Sequence, residues 1–251
     1  MSLKDKNVVV TGGSRGLGLG LVEALVARDA SVTVVARDAD ALGSVRARLG
    51  VATISADVTD ETAAHRILGE VRPDILVLNA GAKPRMGRLD QLSWADFTAP
   101  WETDVKVGLY WLQAALKAPL KPGSRVLVGS SGAAENGSPL SGGYAGAKRM
   151  LWIMASYANG VSRQKKLGIC FQTIVPQQMV GGTGVGDAGA NAYAGAMSIK
   201  REEFLARFAP MPPREFGEKV VSVLEDPKYA EGLAYGLKGD TGITVIEGAA
   251  A

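Results

Sequence analysis

Cysteine and histidine are almost absent from this chain of 251 residues, which has one of each. A lone Cys170 cannot form an internal disulfide. Its place in the apolar run 169–175 marks it as a small buried side chain rather than a reactive thiol. His65 falls in a helical stretch away from the strand ends, so it reads as a surface or core residue and not a catalyst; no metal site is expected. Long hydrophobic runs are also missing. The longest, around 150–158, is far short of the ~20 residues a membrane span needs. The N-terminus runs into a strand without a hydrophobic signal region, and the expectation is a soluble, cytoplasmic protein. Nor is there an excess of one charge. The 28 Lys and Arg against 25 Asp and Glu leave a net +3, and the one dense basic stretch, 163–166, suits a solvated helix end. A nucleic-acid surface is therefore not expected.

What is present is an alternation of two periodicities. Short β-branched runs at 7–11, 31–36, 51–55, 74–78, 124–129 and 168–175 predict six strands. Several are apolar almost throughout, as parallel strands covered on both faces are. Helical patterns fill the gaps at 16–28, 39–49, 60–71, 94–118 (broken near Pro100) and 143–165. A last helix over 213–225 and a terminal strand at 242–247 complete the expected fold: α/β, three layers, a doubly wound parallel sheet of seven strands. With 47% apolar residues and no repeat or linker, one domain over 1–251 is expected. The segment 181–196 stands apart, dominated by Gly, Ala, Asp and Asn with Tyr193 as its only large ring. It follows the sixth strand, above the strand ends where such sheets bind ligands, and is expected to begin a mobile substrate lid over 181–210.

The turn after the first strand reads Thr11-Gly12-Gly13-Ser14-Arg15-Gly16-Leu17-Gly18. Glycines there allow a sharp turn and bring backbone N–H groups and a helix N-terminus against a pyrophosphate. The strand-then-helix context makes this a dinucleotide site rather than an empty turn. The second strand ends in Ala36-Arg37, where an acid would serve the ribose hydroxyl of NAD. Arg15 and Arg37 instead suit the 2′-phosphate of NADP, although Asp38 could pair with an arginine or touch a ribose, and NAD stays possible. Asp57-Val58 after the third strand could hold the adenine amine. Asn79-Ala80-Gly81 after the fourth lets small residues pass close to a ribose.

Tyr144 and Lys148 lie four residues apart, so on a helix their side chains share a face. A phenol of ordinary pKa ~10 beside an ammonium is helped to exchange a proton near neutrality, which carbonyl reduction requires. Ser131 lies thirteen residues before Tyr144.

In this order the motifs resemble the short-chain dehydrogenase/reductase family, in its compact single-domain branch. The resemblance implies a Rossmann-like fold, NAD(P) binding and hydride transfer at a carbonyl or carbinol carbon. Tyr144 becomes the acid/base, Lys148 bridges the nicotinamide ribose, and Ser131 (rather than Ser130) donates to the substrate oxygen. Three departures stand out. Asp104 occupies the position where the family commonly has an asparagine that organises a proton relay to the lysine. Pro176-Gln177 replaces the usual Pro-Gly beside the nicotinamide. Thr183 only loosely matches the threonine expected next. The last strand is also a loose match. Ala133, Ala134, Gln177, Gln178, Met179 and Tyr193 are candidates for the pocket wall, with Glu135 and Arg85 at its rim. Leu151, Trp152, Met154 and Tyr157 sit on faces of helix 143–165 that do not all fit one sheet, and in this family that helix and the one over 101–118 commonly pack subunits together; a homotetramer, less readily a dimer, is expected. The function expected is NADPH-dependent reduction of a ketone or aldehyde. The alternative is a dinucleotide-binding regulatory protein without turnover, and an epimerase or dehydratase relative fits the chain length poorly.

Overall fold

Valine and isoleucine dominate the strands because branched side chains lose little freedom on a pleated, buried surface. The structure, a computed structural model, describes residues 2–248. The strands are β1 (Asn7–Thr11), β2 (Ser31–Ala36), β3 (Ala52–Ser55), β4 (Ile75–Leu78), β5 (Arg125–Gly129), β6 (Cys170–Pro176), β7 (Gly232–Lys238) and β8 (Gly242–Gly248). They form one sheet in the order β3-β2-β1-β4-β5-β6-β7-β8, parallel from β3 to β7 and antiparallel at the β7–β8 edge. The strand order reverses between β1 and β4, which opens a crevice at their carboxyl ends.

The helices are α1 (Gly16–Val26), α2 (Ala39–Leu49), α3 (Glu61–Val71), α4 (Trp94–Pro100), α5 (Lys106–Lys117), α6 (Ala133–Asn136), α7 (Tyr144–Gln164), α8 (Gly184–Ala196), α9 (Arg201–Leu205) and α10 (Pro213–Glu225). They cover the sheet on both faces. On one, Leu21 and Leu25 of α1 and Phe216, Val220 and Leu224 of α10 pack on Val8, Val10 and Ile174. On the other, Ile67 of α3, Trp111 and Leu112 of α5 and Leu151 and Ala155 of α7 pack on Val9, Leu76 and Val126. Full burial of each such side chain stabilises the fold by about 1.5–3 kcal/mol before entropy is counted. Helices α1 and α10 approach closely because a Cβ on Gly20 would collide with the Pro213 carbonyl, and one on Gly217 with the Gly20 carbonyl.

The sheet has eight strands where the sequence predicts seven. The addition is β7, whose Gly232 and Gly236 give it low strand propensity. A Cβ on Gly232 would strike the Tyr235 ring, and one on Gly236 would displace the Gln177 amide. The predicted break near Pro100 is found, but between α4 and α5 the chain makes a π-helical turn, Trp101–Val105.

The segment expected as a lid loop contains a regular helix, α8, of thirteen residues. Glycines at 184, 186, 189 and 195 hide it from a propensity reading. They also let it lie close: Gly186 meets the Val180 carbonyl, and a Cβ on Gly189 would sit 2.8 Å from the Met179 sulfur. Among the described residues no helix is long and apolar enough to cross a membrane.

Candidate active site

At the switch point β1 and β4 are locked together. Thr11 Oγ1 accepts from the backbone N–H groups of Asn79 (3.1 Å) and Ala80 (3.2 Å), and Asn79 Nδ2 donates to the Gly12 carbonyl (3.2 Å). Gly12 has φ +67°, and a Cβ on it would lie 2.8 Å from Ala80 Cα. Gly18 is equally confined, since its Cβ would meet the Gly12 carbonyl and Asn79 Nδ2. The Asn79 amide is thus committed to holding the glycine turn, beside the small Ala80 and Gly81. No side chain caps α1, which leaves its first N–H groups to face the crevice from the turn Ser14-Arg15-Gly16. Leu17 packs back into the core. The shape fits a dinucleotide: a cradle that only glycine backbone permits, ending at an uncapped helix N-terminus.

Arg15 and Arg37 are exposed and make no ion pair among the described residues. Asp38, which could have paired with them, instead caps α2 by accepting from Ala41 N at 3.0 Å. Asp57 accepts from the backbone and hydroxyl of Thr59 (2.9 and 2.8 Å), which hold its carboxyl below the ordinary value, with a smaller pull from Arg37 and Lys106. The Val58 carbonyl accepts from Trp111 Nε1 at 3.0 Å, so α5 fixes this loop. That anchor spans 53 residues of sequence and leaves no mark in any local pattern.

Tyr144 opens α7, and Lys148 follows one turn later with its Nζ 5.7 Å from the Tyr144 ring centre. Both are buried. The Lys148 side chain is 8% exposed and its ammonium lies 3.0 Å from Asp104 Oδ2, on a carboxylate that is 0% exposed. Asp104 sits on the π-helical turn, a distortion common where a helix must aim a functional side chain. Its Oδ1 accepts from Ala82 N at 2.6 Å; Oδ2 faces the ammonium out of hydrogen-bond alignment and accepts no hydrogen bond among the described residues. Gly81 makes room for the pair, since a Cβ there would lie 3.1–3.2 Å from both carboxylate oxygens and from Nζ. Burial works against the Lys148 ammonium, but Asp104 and the facing Tyr144 oxygen outweigh it and raise its pKa.

Ser130 and Ser131 divide the work of the β5 terminus. Ser130 is buried and donates to the Lys148 carbonyl at 2.8 Å, holding α7 against the strand. Ser131 is half-buried; its Oγ accepts from Ala133 N at 3.2 Å, so its hydroxyl proton stays available.

The Pro176-Gln177 turn is tied to the same region. Gly132 N donates to the Pro176 carbonyl (2.8 Å), and Gln177 Nε2 donates to both Glu135 oxygens (3.0 and 2.8 Å). Gln177 therefore lies along α6 and β7 rather than over the crevice. Gln178, expected in the pocket wall, points away as well: it bonds the Ala209 carbonyl and Gly239 N. Thr183 is brought against the glycine turn, with its Cβ 3.6 Å from where a Gly16 Cβ would lie. Its hydroxyl is already engaged, accepting from Gly186 N as the α8 cap (3.0 Å) and donating to the Val180 carbonyl (2.9 Å).

Tyr193 reaches from α8 to the loop leading into Tyr144. Its hydroxyl lies 2.9 Å from Ser138 Oγ, and its ring stacks on Phe204 at 5.8 Å. Sequence reasoning missed Ser138, which is 55 residues from its partner.

The family model for short chain dehydrogenases matches residues 6–180. The chain belongs to this family. The Rossmann-like α/β sheet described above is in keeping with that family. AacuD, a short chain dehydrogenase/reductase of Aspergillus aculeatus, is 30% identical over 152 residues, covering 57% of this chain and 54% of its own length. The NADPH-dependent pterin aldehyde reductase of Arabidopsis thaliana is 29% identical over 182 residues, 68% of this chain and 74% of its own. The chain spans about half the length of AacuD and about a quarter to a third of two further curated relatives. A solved short chain dehydrogenase/reductase family protein shares the fold, with a TM-score of 0.72 over 94% of this chain and 96% of its own at 21% identity.

Proposed function

We propose that this protein is an NADPH-dependent reductase of a ketone or aldehyde, with Tyr144 as the general acid. The observation that carries the reading is the buried Lys148 ammonium, one helical turn from Tyr144 and 5.7 Å from its ring. A structural core has no use for a cation and a phenol set together in this way at the mouth of a glycine cradle. When bound, the dinucleotide supplies a hydride to the carbonyl carbon. Ser131 donates its free hydroxyl proton to the carbonyl oxygen and orients it. Tyr144 passes its own proton to that oxygen as charge develops there, and Lys148 favours the phenolate left behind. Lys148 is held in place by Asp104 and the Gly129 carbonyl at 3.4 Å.

Gly12, Ser14, Gly16, Leu17 and Gly18 would receive the pyrophosphate, with Asp57, Val58, Ala80, Gly81, Pro176 and Thr183 along the remainder of the cofactor. NADP is favoured over NAD because Arg15 and Arg37 are exposed and make no ion pair among the described residues, while Asp38 is occupied. The similar pterin aldehyde reductase of Arabidopsis thaliana, which is NADPH-dependent, supports the same choice. Residues 181–210 serve as the substrate lid of a single domain spanning 1–251. A homotetramer in the cytoplasm fits the family reading. Of the four large residues noted on α7, Leu151, Trp152 and Met154 are buried within the chain, whereas Tyr157 is 66% exposed and free to meet another subunit.

The test is a binding titration with NADPH and NADH, then loss of reduced-nicotinamide absorbance across a panel of ketones and aldehydes. Turnover is expected, with a fall of at least about 10²–10⁴-fold in Tyr144→Phe while cofactor binding is retained. Turnover untouched by Y144F would remove the acid/base assignment. Tight binding without turnover would favour the regulatory reading.

A further inference from the structure

The Asp104–Lys148 pair bears on more than the proton. On the reading that the dinucleotide occupies the crevice, the nicotinamide must lie beside the carbonyl carbon whose oxygen Tyr144 protonates. It therefore lies close to Lys148 and the carboxylate behind it. The two redox forms differ there by one unit of charge: the oxidised ring is a cation and the reduced ring is neutral. A lysine alone would repel the oxidised ring. In this chain the ammonium is met at 3.0 Å by a carboxylate that is 0% exposed, so the pair is close to neutral and little water separates it from its surroundings.

We infer that Asp104 sets the relative affinity of the protein for oxidised and reduced dinucleotide, by partly offsetting the Lys148 charge, which otherwise disfavours the oxidised nicotinamide. Three observations fix its position. Ala82 N anchors Oδ1 at 2.6 Å, the π-helical turn Trp101–Val105 directs the side chain inward, and Gly81 leaves the space that any Cβ would fill. The anchoring matters, because a carboxylate free to swing toward solvent would be screened. Oδ2 lies 3.0 Å from the ammonium and, among the described residues, accepts no further hydrogen bond, so the ammonium is the group that its charge is paired with. The titratable groups facing Lys148 are Asp104 and Tyr144. A protein so arranged holds its oxidised product more firmly than one with an amide at 104, and is inhibited more readily as oxidised cofactor accumulates. Asp104 is a specificity residue for cofactor redox state that acts through the lysine, not a proton donor.

The experiment measures the dissociation constants of NADP⁺ and NADPH, by calorimetry or protein fluorescence, for the wild type and Asp104→Asn. An asparagine can keep the Ala82 N–H contact, and circular dichroism checks the fold. The ratio Kd(oxidised)/Kd(reduced) is expected to rise roughly three- to tenfold in D104N, the effect of one unit charge several ångströms away in a partly shielded site. Asp104→Asn with Lys148→Met, which removes both charges, is expected to return the ratio to the wild-type value. If D104N does not fold, Lys148→Met alone answers with the opposite sign: the ratio falls, and the loss of lysine contacts common to both forms cancels. A ratio within twofold of wild type in a folded D104N that binds both forms overturns the inference and leaves the nucleotide site standing. A wild type that binds neither form overturns the nucleotide reading itself.

Discussion

At the scale of the residue, the site separates into what covalent spacing dictates and what only the fold decides. Tyr144 and Lys148 were legible because a helix places positions four apart on one face, whatever surrounds them. Gly12 and Gly18 were legible because only glycine satisfies such a turn. The hydrogen-bond partners of Asn79, Thr183 and Gln178 were not, because a polar side chain can be spent on the backbone, and the sequence does not say which partner takes it. The same logic works in reverse at Asp38: its use as a cap leaves Arg15 and Arg37 free of that carboxylate. Arg37→Ala is expected to weaken NADPH binding about tenfold or more, the value of one charge-assisted contact, while NADH binding stays level. A parallel fall for both cofactors, read by the same titration, would mean that Arg37 does not read the 2′-phosphate.

Elements were legible where their periodicity was undiluted, and α8 was not. Its face of Gly186, Gly189, Ala190 and Ala194 buries too little area to register as amphipathic, yet it packs closely because those residues are small. The helix is then held from both ends. Asp187 accepts from Gly182 N (2.9 Å) and pairs with Arg201 of α9, while Tyr193 meets Ser138 across the mouth. Since the Tyr193 ring also stacks on Phe204, Tyr193→Phe removes the hydroxyl bridge and keeps the packing. A net cost of about 0.5–1.5 kcal/mol is expected, enough to raise the opened population roughly two- to tenfold. Hydrogen exchange of the α8 amides is the readout. Ser138→Ala should do the same, and the double variant should add little. Unchanged exchange in both would show that the bridge does not hold α8 in place.

For the whole molecule, the alternation of strand and helix made the class and most of the topology legible, and the sheet departs from it at the β7–β8 edge, where a strand is added and the last pairing is antiparallel. There the demands of Gln177 and Tyr235 place glycine in a strand. Tyr235 shows what that edge contributes. Its hydroxyl is buried, shares its one proton between the Tyr229 and Gly232 carbonyls and accepts from Gln172, and burial pushes its pKa up to about 12. An unfolded tyrosine ionises near ~10, so this contribution is complete below that pH and is lost as pH rises from there through about 12. Tyr235→Phe should be less stable than wild type at pH 8 by about 1–3 kcal/mol, with the gap narrowing above pH ~10 in denaturant titrations. A gap constant with pH would mean that the hydroxyl does not act through its ionisation. The same global view gives the α1–α10 contact a consequence in time. Gly20 and its neighbours Leu21 and Leu25 are made early, but the helix that covers them begins at Pro213, roughly 190 residues later. At about 5–20 residues per second on the ribosome, that face waits on the order of 10–40 s uncovered. The outer side of α1 therefore stays open until the last helix exists, which ties completion of this face to the end of synthesis.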